Sequence, residues 1–252
     1  MKLYIIGNGF DLQHALKTKW SDFKSYLMKN NNELFELIKD IYDPIEFWTD
    51  LEHALGKPNI TFLNKIDKLF KMSNIISYSF KTDIINSLIR WIRTIDTTNC
   101  LKIYSFDNDD LFFSFNYTPT IELLYDVDYK NVIHIHGYVA DTYYYEDAEL
   151  ILGHNNPSDE KEIITATRKD TNKIIDKNKN WFKNLSFKDI KYIKVIGVSY
   201  NDIDFCYFKA IKKELPNVHW DFCYHTDSDK IKALNYASML GLKKDAYTLL
   251  KV

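Results

Sequence analysis

Glycine is scarce in this sequence, with seven in 252 residues, and proline is scarcer, with five. That excludes collagen-like repeats, Gly/Ser linkers and Pro-rich low-complexity tracts. Cysteine is limited to Cys100, Cys206 and Cys223, widely spaced and odd in number. With no CxxC pair, neither a disulfide framework nor a cysteine zinc site is indicated, and a reducing, cytoplasmic setting is expected. No run of about 18 apolar residues occurs, so no membrane span is expected. The apolar stretch in Met1–Gly7 is too short for a signal peptide. Charge of one sign is lacking too: 33 basic residues face 35 acidic ones, a net charge of −2. The whole chain therefore supplies no positive field, and nucleic acid is not indicated as a partner, although a local basic groove stays open.

What is present is a hydrophobic share of 46% and a charged share of 27%, enough for a full core. Leu3–Ile6 is a short apolar run stopped by Gly7-Asn8-Gly9, the pattern of a buried parallel strand, and Phe10 to Leu16 can be helical. From about 18 to 98 the spacing becomes helical throughout. Ser21 is expected to cap a helix with Phe23, Tyr26 and Leu27 on one face, and Asn32 to start another. Phe47, Trp48, Leu51 and Leu55 fit one helix, Phe62, Ile66, Leu69 and Phe70 another, and Ile84, Leu88, Ile92 and Ile95 a third. This region reads as a helical insertion subdomain within one domain. Strand texture returns at Leu111–Phe115, Val132–Ile135, Leu150–Leu152, Tyr192–Ile196, Val218–Tyr224 and Tyr247–Lys251. Helical stretches follow at Thr118-Pro119 onward, Glu160–Phe182, Asp202–Leu215 and Asp229–Leu240. Alternating strands and helices predict an α/β fold, a Rossmann-like parallel sheet flanked by helices, with the large helical insertion after the first βα turn.

Five of the seven glycines, Gly7, Gly9, Gly137, Gly153 and Gly197, fall at or one residue beyond predicted strand ends. Ligands of open α/β sheets bind at those ends, and glycine lets backbone approach them. Gly7-Asn8-Gly9-Phe10-Asp11-Leu12 is a partial GxGxxG, whose turn suits phosphate at a helix N-terminus. Two readings of Asp11 stand side by side: a hydrogen-bond acceptor for ribose, or a helix cap. Asn116, after the Phe115 strand end, can donate and accept at any pH, which suits a sugar hydroxyl or a water, or simply a turn. His134-Ile135-His136-Gly137 places two imidazoles on one strand face. His136, at the carboxyl end, can take a proton near neutral pH, whereas His134 reads as a core histidine. A metal set of His134 and His136 with His154, His53 or an Asp is the alternative; no metal is expected. In Gly197-Val198-Ser199, backbone and hydroxyl could contact a nucleotide, while Asp202 and Asp204 suit a helix first turn. Trp48 and Glu52, one turn apart, could reach the same crevice.

In series, GNGFDL, FWTDLE, FSFNYTPTIE, IHIHG, LGHN and IGVSYNDIDF resemble the AbiH family of bacterial phage abortive-infection proteins, over essentially the whole chain. That family is in turn similar to SIR2-like, sirtuin-type NAD-binding domains. The resemblance implies Asn116 and His136 at the catalytic Asn and His, and Gly7, Asn8, Gly9, Phe10, Asp11, Gly197, Ser199 and Asp202 around the cofactor. The zinc-ribbon cysteines of sirtuin deacylases are absent, which points away from deacylation and towards NAD cleavage. The expectation is an abortive-infection NAD glycohydrolase with NAD as substrate, forming a homo-oligomer and answering to a phage-derived trigger. A nucleotide-binding sensor without turnover and a metal-dependent nuclease are the alternatives.

Overall fold

A computed structural model describes residues 1–70, 73–97, 99–140, 149–158 and 161–252. The chain falls into two compact units, one of residues 1–16, 97–140 and 170–252, the other of 17–96 and 141–169.

The first unit carries a six-stranded, all-parallel sheet in the order β3-β2-β1-β4-β5-β6. Its strands are β1 (Lys2–Ile6), β2 (Leu111–Ser114), β3 (Val132–His134), β4 (Tyr192–Ile196), β5 (His219–Tyr224) and β6 (Tyr247–Lys251). Parallel strands need crossovers that cover both faces, so central strands are apolar throughout. Accordingly, all four residues of β2 are buried, as are Leu3 to Ile6 of β1. Successive residues of β2 point to opposite faces. Phe112 packs with Tyr4, Ile6 and Phe10, the last on α1 (Asn8–Gln13). Phe113 lies against Trp181, Phe182 and Tyr207, at ring-centroid distances of 5.4, 5.9 and 5.8 Å. These belong to α11 (Lys179–Leu185) and α12 (Phe205–Glu214).

The second unit is helical. It contains α2 (Trp20–Asn30), α3 (Asn32–Ile41), α4 (Pro44–Thr49), α5 (Leu51–Leu55), α6 (Ile60–Phe70), α7 (Ser73–Ile92) and α9 (Glu162–Ala166). An aromatic cluster of Phe23, Phe35, Phe47 and Trp48 holds it together. The remaining helices, α8 (Thr120–Tyr125), α10 (Thr171–Lys177) and α13 (Asp227–Met239), belong to the sheet unit.

Several elements differ from the sequence reading for local reasons. The helix expected over Phe47–Leu55 is two helices, because the Asp50 carboxylate accepts from His53 N–H and starts α5 afresh. Ser21 lies inside α2, which starts at Trp20; Asp22 accepts from the Lys19 N–H instead. α8 starts at Thr120, not at Thr118, whose hydroxyl donates to Asp11. The apolar run Leu150–Leu152 is no strand: Leu150 and Leu152 are buried from a loop, and only His154 bridges to Arg168. The polar stretch read as helical from Glu160 breaks into α9, α10 and α11, the last two separated at Asn178. Among the described residues, no helix is long and apolar enough to cross a membrane.

Candidate functional site

The strand order places β1 and β4 side by side at the centre, with the chain running outward in opposite directions from them. That is the topological switch point where open α/β sheets bind ligands, outside the carboxyl ends of the strands. Along this edge stand His136 after β3, Asn116 after β2, Gly7 after β1 and Gly197 after β4.

At the switch point the two glycine turns touch each other. Gly7 N–H donates to Ile196 O at 2.9 Å, Gly9 N–H to Gly197 O at 2.8 Å, and Phe10 N–H to Gly7 O at 2.9 Å. A Cβ on Gly9 would stand 2.5 Å from Gly197 Cα, and one on Gly197 would stand 2.2 Å from Phe10 N. Gly197 also has φ of +67°, which L side chains rarely adopt. The glycines therefore serve backbone-to-backbone packing. In this conformation three of the four Gly7–Phe10 amides, those of Gly7, Gly9 and Phe10, are engaged within the protein. The Phe10 side chain is fully buried in the core. The edge residues with exposed side chains are Asn8, Ser199 and Asp202.

Asn116 is pinned from several sides. Its N–H donates to Ser114 Oγ at 3.1 Å, its amide Nδ2 to Gly7 O at 3.2 Å, and its carbonyl accepts from His134 Nδ1 at 2.8 Å. Since a carbonyl carries no proton, His134 Nδ1 carries one, and the other ring nitrogen lies 2.8 Å from Glu122 Oε1 on α8. Behind Asn116 lies Asp11, 1% exposed, which accepts from Thr118. Asp11 is not the cap of α1, whose N-cap is Gly7. Burial raises its pKa to about 6, against the opposing pull of the hydrogen bond from Thr118. Asp11 Oδ1, Thr120 Oγ1 and Glu122 Oε2 are buried with no hydrogen-bond partner among the described residues.

His136 sits elsewhere. It lies one turn beyond β3, so it does not share a strand face with His134, which corrects the two-imidazole reading. Its Nε2 is 3.3 Å from Tyr207 Oη on α12 and 3.9 Å from Asp204 Oδ1. Its ring lies 5.5 Å from that of Phe115. Asn116 thus belongs to the α1 side of the carboxyl edge and His136 to the α12 side, flanking the end of β2. Tyr207 carries no sequence signal beyond an apolar helical position, and Asp204 reads as a first-turn acid; only the fold brings them to the imidazole.

Other candidates belong to the helical unit. Trp48 is on α4 and Glu52 on α5, both in the helical unit, where Glu52 accepts from the buried Lys169 at 3.1 Å. His154 belongs to that unit too. Its Nδ1 accepts from Asn156 N–H at 3.0 Å, so Nε2 carries the proton and faces Ile164 O and Thr167 Oγ1. Burial lowers its pKa, which fits a neutral ring. Both ring nitrogens of His134 and of His154 are thus engaged within the protein. Among the described residues, no group of three or more His, Cys, Asp or Glu could hold a metal ion.

A parallel 3-2-1-4-5-6 sheet with paired glycine turns at its switch point defines a Rossmann-like α/β protein. The family model for bacteriophage abortive infection AbiH matches residues 3–224, from β1 to the end of β5, and the chain belongs to that family. Its role is accordingly one in phage abortive infection. No curated protein matches the chain.

Proposed function

We propose that the chain acts in abortive infection by hydrolysing the nicotinamide–ribose bond of NAD. The observation that supports this most is His136, close to the Asp204 carboxylate at 3.9 Å, at the carboxyl edge next to the strand end that carries Asn116. Glycosidic cleavage passes through an oxocarbenium-like state. Nicotinamide leaves as a neutral molecule, so no acid is needed on its side. His136 accepts a proton from the attacking water, and the nearby carboxylate favours the imidazolium that results. Asn116, fixed by Gly7, Ser114 and His134, orients the ribose from the α1 side. Water adds to the anomeric carbon, releasing nicotinamide, ADP-ribose and a proton.

His136 is 3% exposed and Asn116 7% exposed, so neither of these two side chains is open to substrate in this conformation. Their burial at rest suits an effector whose unregulated activity would harm the cell, and assigns opening to a phage-derived trigger or to assembly of several copies. The test is nicotinamide release from NAD by the full chain, with and without lysate of phage-infected cells. Wild type should respond to the lysate, and His136→Ala should lose about 10²–10⁴-fold, the usual cost of a general base. Equal release by both proteins contradicts the reading.

The exposure of Asn8, Ser199 and Asp202, against the burial of His136, favours one alternative: a nucleotide sensor without turnover. Calorimetry separates the two, since sensor binding survives His136→Ala and yields no product.

A further inference from the structure

The segment from Thr171 to Lys194 departs from the rest of the chain in charge. It holds seven lysines and two acids, Asp176 and Asp189, in a protein whose net charge is −2. The acids do not neutralise it. Lys173 pairs with Asp170 and Lys191 with Asp189, whereas Lys177, Lys179, Lys183 and Lys188 are exposed and form no ion pair among the described residues. Lys179 and Lys183 are one turn apart on α11, about 6 Å along its axis, and so share a face. That helix buries its apolar side, Phe182 and Leu185, in the sheet unit, so its lysines line an outer surface. Just beyond its end Phe187 is 85% exposed, and Tyr192 is 48% exposed. Neutral amides at Asn172, Asn180 and Asn184 are also exposed.

Unpaired cations around an exposed ring match the chemistry of a polynucleotide with unstacked bases. Phosphates meet the lysines, and a base stacks on the aromatic face without regard to sequence. An anionic membrane fits less well, because the apolar side of α11 is buried in the fold and leaves only Phe187 to insert. We propose that the outer surface of α11 and the following turn, with Lys177, Lys179, Lys183, Lys188 and Phe187, binds single-stranded nucleic acid. This surface is independent of the NAD reading, and its test does not involve NAD.

The test is fluorescence anisotropy of labelled 20-nucleotide single-stranded DNA, single-stranded RNA and duplex DNA with the full chain, at 50–200 mM salt. Four lysine–phosphate contacts predict a slope near −2.8 in log affinity against log salt, about a 50-fold loss over that range. The DNA and RNA arms identify which strand chemistry is preferred, and both should exceed the duplex. Phe187→Ala should weaken binding about tenfold with the slope unchanged. Lys179→Glu/Lys183→Glu should weaken it further and flatten the slope. Lys243→Glu/Lys244→Glu makes the same charge change at an exposed site elsewhere and should leave binding intact. All these positions are exposed, so circular dichroism should show an unchanged fold. The proposal is overturned if no salt-dependent binding occurs, if the control pair weakens binding as much as the α11 pair, or if anionic vesicles bind while oligonucleotides do not.

Discussion

Gly197 and Gly241 share a backbone conformation and differ in surroundings, so the pair separates two reasons for glycine. Their φ angles are +67° and +65°. Around Gly197 an added Cβ meets Phe10 N at 2.2 Å and Gly9 C at 2.5 Å, whereas around Gly241 it meets nothing within 4 Å. In Gly241→Ala only the left-handed backbone is strained, at about 1–2 kcal/mol. In Gly197→Ala that strain is joined by overpacking against rigid backbone, about 1–3 kcal/mol more. The expected totals are about 1–2 and about 2–5 kcal/mol, against a typical whole-protein stability of about 5–15 kcal/mol. At roughly 2–4 °C per kcal/mol for chains of this size, Gly197→Ala should lower Tm by roughly 4–20 °C and Gly241→Ala by about half as much or less. Thermal unfolding by circular dichroism, supported by urea titration, reads both. Equal losses for the two variants would refute the claim that the glycine turns exist for close packing at the β1–β4 switch point.

Other outcomes follow from the buried polar cluster. Because burial lifts the folded-state pKa of Asp11 to about 6, above its unfolded value, its neutral form stabilises the fold below about pH 4, and that contribution is lost as pH rises through 6. Relative to Asp11→Asn, wild type should therefore lose on the order of 3 kcal/mol between pH 4 and pH 7, read from urea unfolding across that range; a parallel profile would contradict the assignment. Glu122→Ala leaves the buried His134 without its 2.8 Å partner and should cost about 3–5 kcal/mol, with Glu122→Gln milder, in the same unfolding assay.

The sheet was legible from local pattern. Tyr192–Ile196 and Tyr247–Lys251 emerge with the ends expected, because polar or turn residues bound each apolar run. The Gly–Asn–Gly turn after β1 and the glycine after β4 were also visible as strand ends. What was not legible depends on partners distant in sequence. Thr118 looks like a cap until the fold places Asp11 beside it. Leu150–Leu152 is apolar because two of its leucines are buried, and burial alone does not make a strand. A glycine that admits a ligand and one that admits another backbone look the same in a sequence, so the mutual packing of Gly9 and Gly197 was hidden. Strict alternation put His134 and His136 on one face, but β3 ends at His134, and the turn beyond it carries His136 towards α12. Asp204 and Tyr207 stand 68 and 71 positions after His136, and nothing in residue spacing announces the group.

The most direct test of the account is the intracellular NAD pool of phage-challenged bacteria expressing this chain, followed by liquid chromatography beside cells expressing His136→Ala or Asp204→Asn. NAD should collapse and nicotinamide accumulate after infection in the wild-type culture, while both variants keep their pool. A pool that stays level in wild-type cells that nonetheless abort infection, or one that collapses equally with His136→Ala, would contradict it.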